Sequence, residues 1–174
     1  MPQAKMKEKP AVQLEKPRFE EGRAILIAGL RKVYAPGTMN GIAAQWQSFA
    51  PHIGKIPGQI GRTTYGVCWQ APGSEDLEYL SGVEVSGFAG MPSDFTVVSL
   101  APTKYAVFPH RDHMLKLSET IDAIFFKWLP KSGQQAGGDA ETPAFIESYS
   151  EEFNPQTGIG GMEVWIPIKS KENA

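Results

Sequence analysis

The sequence predicts an α+β fold: duplicated βαββ units with pseudo-twofold symmetry, antiparallel sheets, helices on one face and a ligand cavity between the halves. Three observations predict it. Ile42, Trp46 and Phe49 stand at i, i+4 and i+7, and Ile121, Phe125 and Trp128 repeat that spacing 79 positions later, as the apolar faces of two similar helices would. The segment Tyr65-Gly66-Val67-Cys68-Trp69 returns 80 positions on as Phe145-Ile146-Glu147-Ser148-Tyr149, aromatic at both ends. Strand-like runs flank each helix in the same order, so the chain reads as a repeat.

Each half then resolves element by element. A long first strand is predicted over Phe19–Tyr34 and again over Phe95–Phe108. The first helix follows Gly37-Thr38, where Thr38 offers a capping hydroxyl, and runs to about Ile53 before Gly54 and Pro57. The second runs from about Leu115 to Leu129 and stops at Pro130, which cannot continue the hydrogen-bond ladder. Two strands close each half: Thr63–Gln70 with Glu78–Ser86, and Ala144–Phe153 with Gly161–Ile168. Ala71–Ser74 and Lys131–Pro143 read as loops, and Gly158-Ile-Gly160-Gly161 as a hairpin turn. Residues 1–17 read as a flexible basic tail and 18–174 as a single domain, with half one at about 18–90 and half two at about 91–170.

Composition narrows the function. A net charge of −2 gives no basic footprint for nucleic acid, so direct nucleic-acid binding is not expected. No apolar run approaches the roughly 18 residues of a membrane span. The lone cysteine, Cys68, excludes an internal disulfide, and the N-terminal lysines are not followed by an apolar leader, so a cytoplasmic protein is expected. His110-Arg-Asp-His113 falls short of a metal-ligand set, and there is no Walker loop, nucleophile elbow or dinucleotide fingerprint. Neither metal nor cofactor is expected.

Strand alternation singles out the candidate binding residues. Phe145, Glu147 and Tyr149 share one face of their strand. Met162, Val164, Ile166 and Ile168 form an apolar face suited to packing under a helix, which leaves Glu163, Trp165 and Pro167 on the other side. If the two strands pair as a hairpin, Glu147, Tyr149, Glu163 and Trp165 are expected to share a face away from the helix-packed core. Half one would add Tyr65 and Trp69, with Val67 where half two has Glu147. A carboxylate among rings needs a compensating partner, and rings attract cations, so the set suits a hydrophobic guest that is cationic or polar aromatic. The competing reading leaves Glu147 facing water while Phe145 and Tyr149 cover a core edge. Trp46, Phe49, Phe125 and Trp128 read as core, and Cys68 as an inert buried thiol.

Four segments resemble the GyrI-like effector-binding domains, which are also found fused to AraC-type and MerR-type transcription activators. They are Tyr105-Ala-Val107-Phe108-x-His110, Phe126-Lys-Trp128-Leu129-Pro130-x-Ser132-Gly133, Ile146-Glu147-Ser148-Tyr149 followed by Phe153, and Glu163-Val164-Trp165-Ile166-Pro167-Ile168. The resemblance spans about Arg23 to Lys169. It implies a small organic ligand between two βαββ halves, with Glu147 as the pocket carboxylate, Trp165 on its wall and Tyr65, Trp69 and Tyr79 from half one. No counterpart of those activators' attached DNA-binding module is expected here. The function expected is small-molecule binding, as a sensor or by sequestration. Two alternatives remain: a hydrolase of reactive xenobiotics, with Glu147 as general base and Tyr149 orienting, and a protein-directed inhibitor like those of DNA gyrase. A protein partner and the oligomeric state stay open.

Overall fold

The structure, a computed structural model, describes residues 13–70, 73–137 and 141–170. Among these residues nine strands form one antiparallel sheet, in the order β1 (Arg18–Gly22), β6 (Thr103–His110), β9 (Met162–Ser170), β8 (Phe145–Tyr149), β3 (Gln59–Gln70), β4 (Leu77–Val85), β2 (Ile25–Tyr34) and β5 (Thr96–Leu100), while β7 (Gln134–Ala136) adds to the far end of β9. Two helices, α1 (Gly41–Phe49) and α2 (Leu117–Ala123), complete the α+β layers. Among the described residues no helix is long and apolar enough to cross a membrane.

Each predicted long first strand is broken in two. Phe19–Tyr34 divides at Arg23-Ala24 into β1 and β2, and Phe95–Phe108 divides at Ala101-Pro102 into β5 and β6. The reason is topological. β1 pairs with β6 while β2 pairs with β4 and β5, at opposite ends of the strand order. Pro102 has no N–H for a ladder, and Gly22 leaves room where a Cβ would lie 2.4 Å from the Tyr105 ring.

The helices also differ from expectation in detail. Thr38 does not cap α1: its hydroxyl donates to the Ala35 carbonyl, and the helix begins after Asn40. The second helix is a composite. A tight turn at Met114–Lys116, capped by the His113 ring accepting from the Leu115 amide, leads into α2. A widened turn then spans Ile124–Trp128, and a last tight turn spans Leu129–Lys131 around Pro130. Loop 131–143 contains β7.

Residues directly opposed on antiparallel strands share a face, so the register sorts the sheet. One face carries Ala28, Val83, Val85, Tyr79, Cys68, Glu147, Tyr149, Met162, Val164, Ile166 and Phe108, and both helices pack on it through Trp46, Phe49, Ile121, Ile124 and Phe125. The other face gathers Ile27, Val67, Trp69, Leu80, Leu100, Tyr105, Val107 and Ile146 into a second core. Leu100 and Tyr105 sit near opposite ends of the strand order yet share this cluster, so the sheet curls about it. Helices lie outside the curl and a hydrophobic filling lies inside.

Residues 1–12 of the predicted tail lie outside the described residues. Leu14 packs against the helix-side core, and Glu15 pairs with Arg111 at 2.5 Å.

The β2·β4 pair tolerates no side chain at Gly29, where a Cβ would stand 1.9 Å from the Ser81 carbonyl oxygen and 2.7 Å from the Gly82 Cα. Backbone cannot move aside as a flexible side chain can. Gly29→Ala is expected to destabilise the fold by about 3 kcal/mol, read as a fall in Tm of about 6–12 °C. An unchanged melting curve would contradict the register.

Candidate functional site

The central contact of the sheet pairs β3 with β8, with Gly66 opposite Glu147. Glu147 is only 9% exposed, which excludes the water-facing reading. Its Oε1 accepts from the Tyr79 hydroxyl at 2.7 Å and its Oε2 lies 3.5 Å from the Tyr149 hydroxyl. Tyr79 in turn accepts from the Trp46 indole N–H at 2.9 Å. Three elements therefore converge on one carboxyl: α1 through Trp46, β4 through Tyr79 and β8 through Tyr149.

Gly66 makes this arrangement fit. A Cβ there would lie 2.1 Å from the Tyr79 hydroxyl and 2.6 Å from Glu147 Oε1, so the missing side chain is the space that acid and phenol occupy. Trp46 stands edge-on to Tyr149, with centroids 5.7 Å apart, and Phe125 edge-on to Phe145 at 6.2 Å. An aromatic ring from each helix layer thus covers the strand that carries the acid.

The electrostatics follow from burial. Removal from water pushes the Glu147 carboxyl from an ordinary 4.5 up to about 7, against the two phenolic hydrogen bonds that favour its charge. Burial first, and the neighbouring carboxylate second, raise Tyr79 and Tyr149 well above the usual phenol range, so both remain donors. The same two causes raise the Cys68 thiol, which is buried and unreactive. Among the described residues no arginine or lysine forms an ion pair with Glu147, and no cluster of ligating side chains could hold a metal. His110 bonds instead to the Thr120 hydroxyl and the His113 carbonyl.

The seven candidates do not share one hollow. Glu147, Tyr149 and Phe145 lie on the helix face, opposite Val164, Met162 and Cys68. Glu163 and Trp165 lie on the inner face with Ser148 and Ile146, which corrects the expectation that all four polar and aromatic residues of the hairpin lie together. The hairpin pairs residue 147 with 164 rather than with 163 or 165, and one step of register exchanges the faces. Tyr65 and Trp69 are also on the inner face with Val67, so equating Val67 with Glu147 matches residues on opposite sides of the sheet. Trp69 is buried under the Arg31 guanidinium, 4.5 Å from the ring. Glu163 is held by Arg18, which also lies 5.5 Å over the Trp165 ring.

Two participants were not legible as such. Trp46 shows only as a helix-core aromatic, and Gly66 carries no signal in sequence. Tyr79 carries one: a tyrosine on the strand face that also carries Leu77, Val83 and Val85 needs a buried partner for its hydroxyl.

The family model described as "GyrI-like small molecule binding domain" matches residues 15–169. A search of curated proteins finds no match. Among solved structures, SAV2435 bound to tetraphenylphosphonium superposes with a TM-score of 0.69 at 19% identity, covering 89% of this chain and 94% of that one. The EcmrR C-terminal domain gives 0.64 at 10% identity, covering 92% and 100%. The integron cassette protein VCH_CASS2 from the mobile metagenome of Vibrio cholerae gives 0.63 at 10% identity, covering 90% and 97%. At these identities the likeness is one of fold.

The raised carboxyl has a consequence for stability. Below pH 4.5 Glu147 is protonated in both the folded and unfolded chain; above about 7 it is ionised in both, and the folded state bears the cost. Between those values the folded state binds more protons, so stability falls as pH rises, by on the order of 3 kcal/mol. Glu147→Gln keeps an acceptor without the charge. Its gain in Tm over wild type is expected to be larger at pH 8 than at pH 5, and an equal difference at both would show that the acid is not buried as described.

Proposed function

The chain belongs to the GyrI-like small molecule binding domain family, and on that premise we propose that it binds a hydrophobic cation at Glu147, acting as a sensor or by sequestration. One observation carries the reading: a buried carboxyl, pushed up to about 7 and held by two phenols, has no cationic partner among the described residues. A cation of low hydration supplies the missing charge at little desolvation cost, and Trp46, Tyr79, Tyr149 and Phe145 supply faces and edges for it. That SAV2435 holds tetraphenylphosphonium, a lipophilic cation, supports the same chemistry. The lone cysteine, buried as a thiol, supports a cytoplasmic setting.

The proposal includes a single domain over 18–174 with two related halves. β2-α1-β3-β4 and β6-α2-β8-β9 have the same strand order on either side of β3·β8, which supports a duplication about a pseudo-twofold axis normal to the sheet. Such an axis matches residues of one face, so the offset must be odd. At 79, the spacing of the helical triplets, Trp46 corresponds to Phe125 and Cys68 to Glu147, and only one copy carries the acid.

The protonation balance of Glu147 also suits a general base, which favours a second reading, hydrolysis of an electrophilic substrate with Tyr149 orienting it. Turnover of a strained-ring electrophile that persists in Glu147→Gln would overturn it.

Calorimetric titration with tetraphenylphosphonium tests the first reading. A cation prefers the ionised acid, so apparent affinity scales with the ionised fraction and is expected to be about tenfold tighter at pH 8 than at pH 6. Glu147→Gln is expected to weaken binding and remove the pH dependence. Wild-type affinity in that variant would overturn the proposal.

A further inference from the structure

The two most exposed large apolar side chains among the described residues stand on one helix: Leu115 is 80% exposed and Phe126 78%. Glu119 and Asp122 lie between them and are exposed as well. The four residues follow at i, i+4, i+7 and i+11, a spacing that gathers them on one face. It is the outer face of the composite helix that runs from Met114 through α2 to Lys131. The inner face is spent on the core through Leu117, Ile121 and Ile124.

Among the described residues neither acid of this stripe forms an ion pair, and Lys116, one turn before Glu119, goes to Asp112 at 3.3 Å. Two large apolar groups around two unpaired acids select their occupant. A second copy laid antiparallel on the stripe would set Leu115 against Phe126, but also Glu119 against Asp122, acid on acid. An anionic membrane surface is repelled by the same pair. The partner that fits is a short basic segment with an apolar side chain among its cations.

The chain carries such a segment just before the described residues. Lys5-Met6-Lys7-Glu8-Lys9 has three cations to one acid, the opposite balance to Glu119 and Asp122. The described chain also begins next to the stripe. Gln13, Leu14 and Glu15 line a cavity of about 330 Å³ together with Asp112, Lys116, Glu119 and Thr120. Leu14 packs on the helix-side core and Glu15 pairs with Arg111, which anchors this starting point. Lys9 and Lys5 stand four and eight residues before Gln13, a reach of up to roughly 13 and 26 Å at about 3.3 Å per residue. Eleven helical residues from Leu115 to Phe126 rise only about 16 Å. Both acids and the far ring are within range.

We propose that Lys5–Lys9 docks on the outer stripe of its own chain's helix, its lysines against Glu119 and Asp122 and Met6 among Leu115 and Phe126. The inner side of that helix places Phe125 against Phe145, so docking couples the start of the chain to the layer that covers the acid-bearing strand.

A spin label tests this. Ala4→Cys puts the label beside the segment without altering it, because the other thiol, Cys68, is buried. In the full chain at low salt the label is expected to broaden the backbone amide signals of Glu119, Asp122 and Phe126. Glu119→Gln combined with Asp122→Asn is expected to lower the docked-to-undocked ratio, read at Phe126, about fivefold, as loss of two exposed ion pairs implies. Salt at about 1 M is expected to do the same, since charges are then screened beyond about 3 Å. Melting curves check that the variants fold. No broadening at Phe126 in the labelled Ala4→Cys chain, or broadening that survives both neutralisation and salt, overturns the proposal. So does broadening transferred to isotope-enriched chains that carry no label, which would assign the segment to a neighbouring copy. No small molecule enters the test, so its outcome is independent of the reading at Glu147.

Discussion

The rest of the molecule is arranged around a carboxyl taken out of water. Glu147 sits on the central strand pair of the sheet, and its position is feasible because Gly66 across that pair has no side chain and because Tyr79 and Tyr149 donate to it. Both phenols are buried, so their hydroxyls need an acceptor as much as the acid needs donors. Trp46 extends the chain of donors into α1, which ties the helix layer to the sheet through a polar link in an otherwise apolar interface. A fully satisfied polar cluster of this kind fixes one packing among many, whereas a half-satisfied one would be worse than none.

Curling of the sheet divides the protein into two environments. The helix side holds an acid and is covered by rings. The inner side carries aliphatic and aromatic groups together with charges held in pairs, Arg23 with Glu84 and Arg18 with Glu163. The same strands build both, since alternation sends Ile146 one way and Glu147 the other.

Much of the fold was legible because periodicity is a local property. The helical triplets, the apolar stripe of β9 and the loops at glycine and proline all depend on residues within one element. What was illegible depended on pairing. Each strand's two faces were sorted correctly, but which face of β8 matches which face of β9 is set by the connection 150–161, where Gly158, Gly160 and Gly161 all adopt positive φ and Asn154 bridges to Ile159. One residue of slip in that connection separates Trp165 from Glu147. The breaks at 23–24 and 101–102 escaped for a related reason: Gly22 and Pro102 are readable as punctuation, yet only the partner strands show that β1 and β5 cross to the opposite edge. Trp46 was read as core, which it is, but its N–H is spent on Tyr79.

That crossing of the edge strands bears on how the chain must assemble during synthesis. β1 finds its partner in β6, with Arg18 opposite Val107, and the central pair joins Gly66 to Glu147. Neither contact can form until most of the polypeptide has left the ribosome. Pairings this distant in sequence carry a large loop-closure cost and fold slowly. Until β8 emerges, the free side of β3 remains an open edge that would pair with any extended strand at hand. The nascent protein is therefore most vulnerable to aggregation in the interval between emergence of residue 70 and emergence of residue 149.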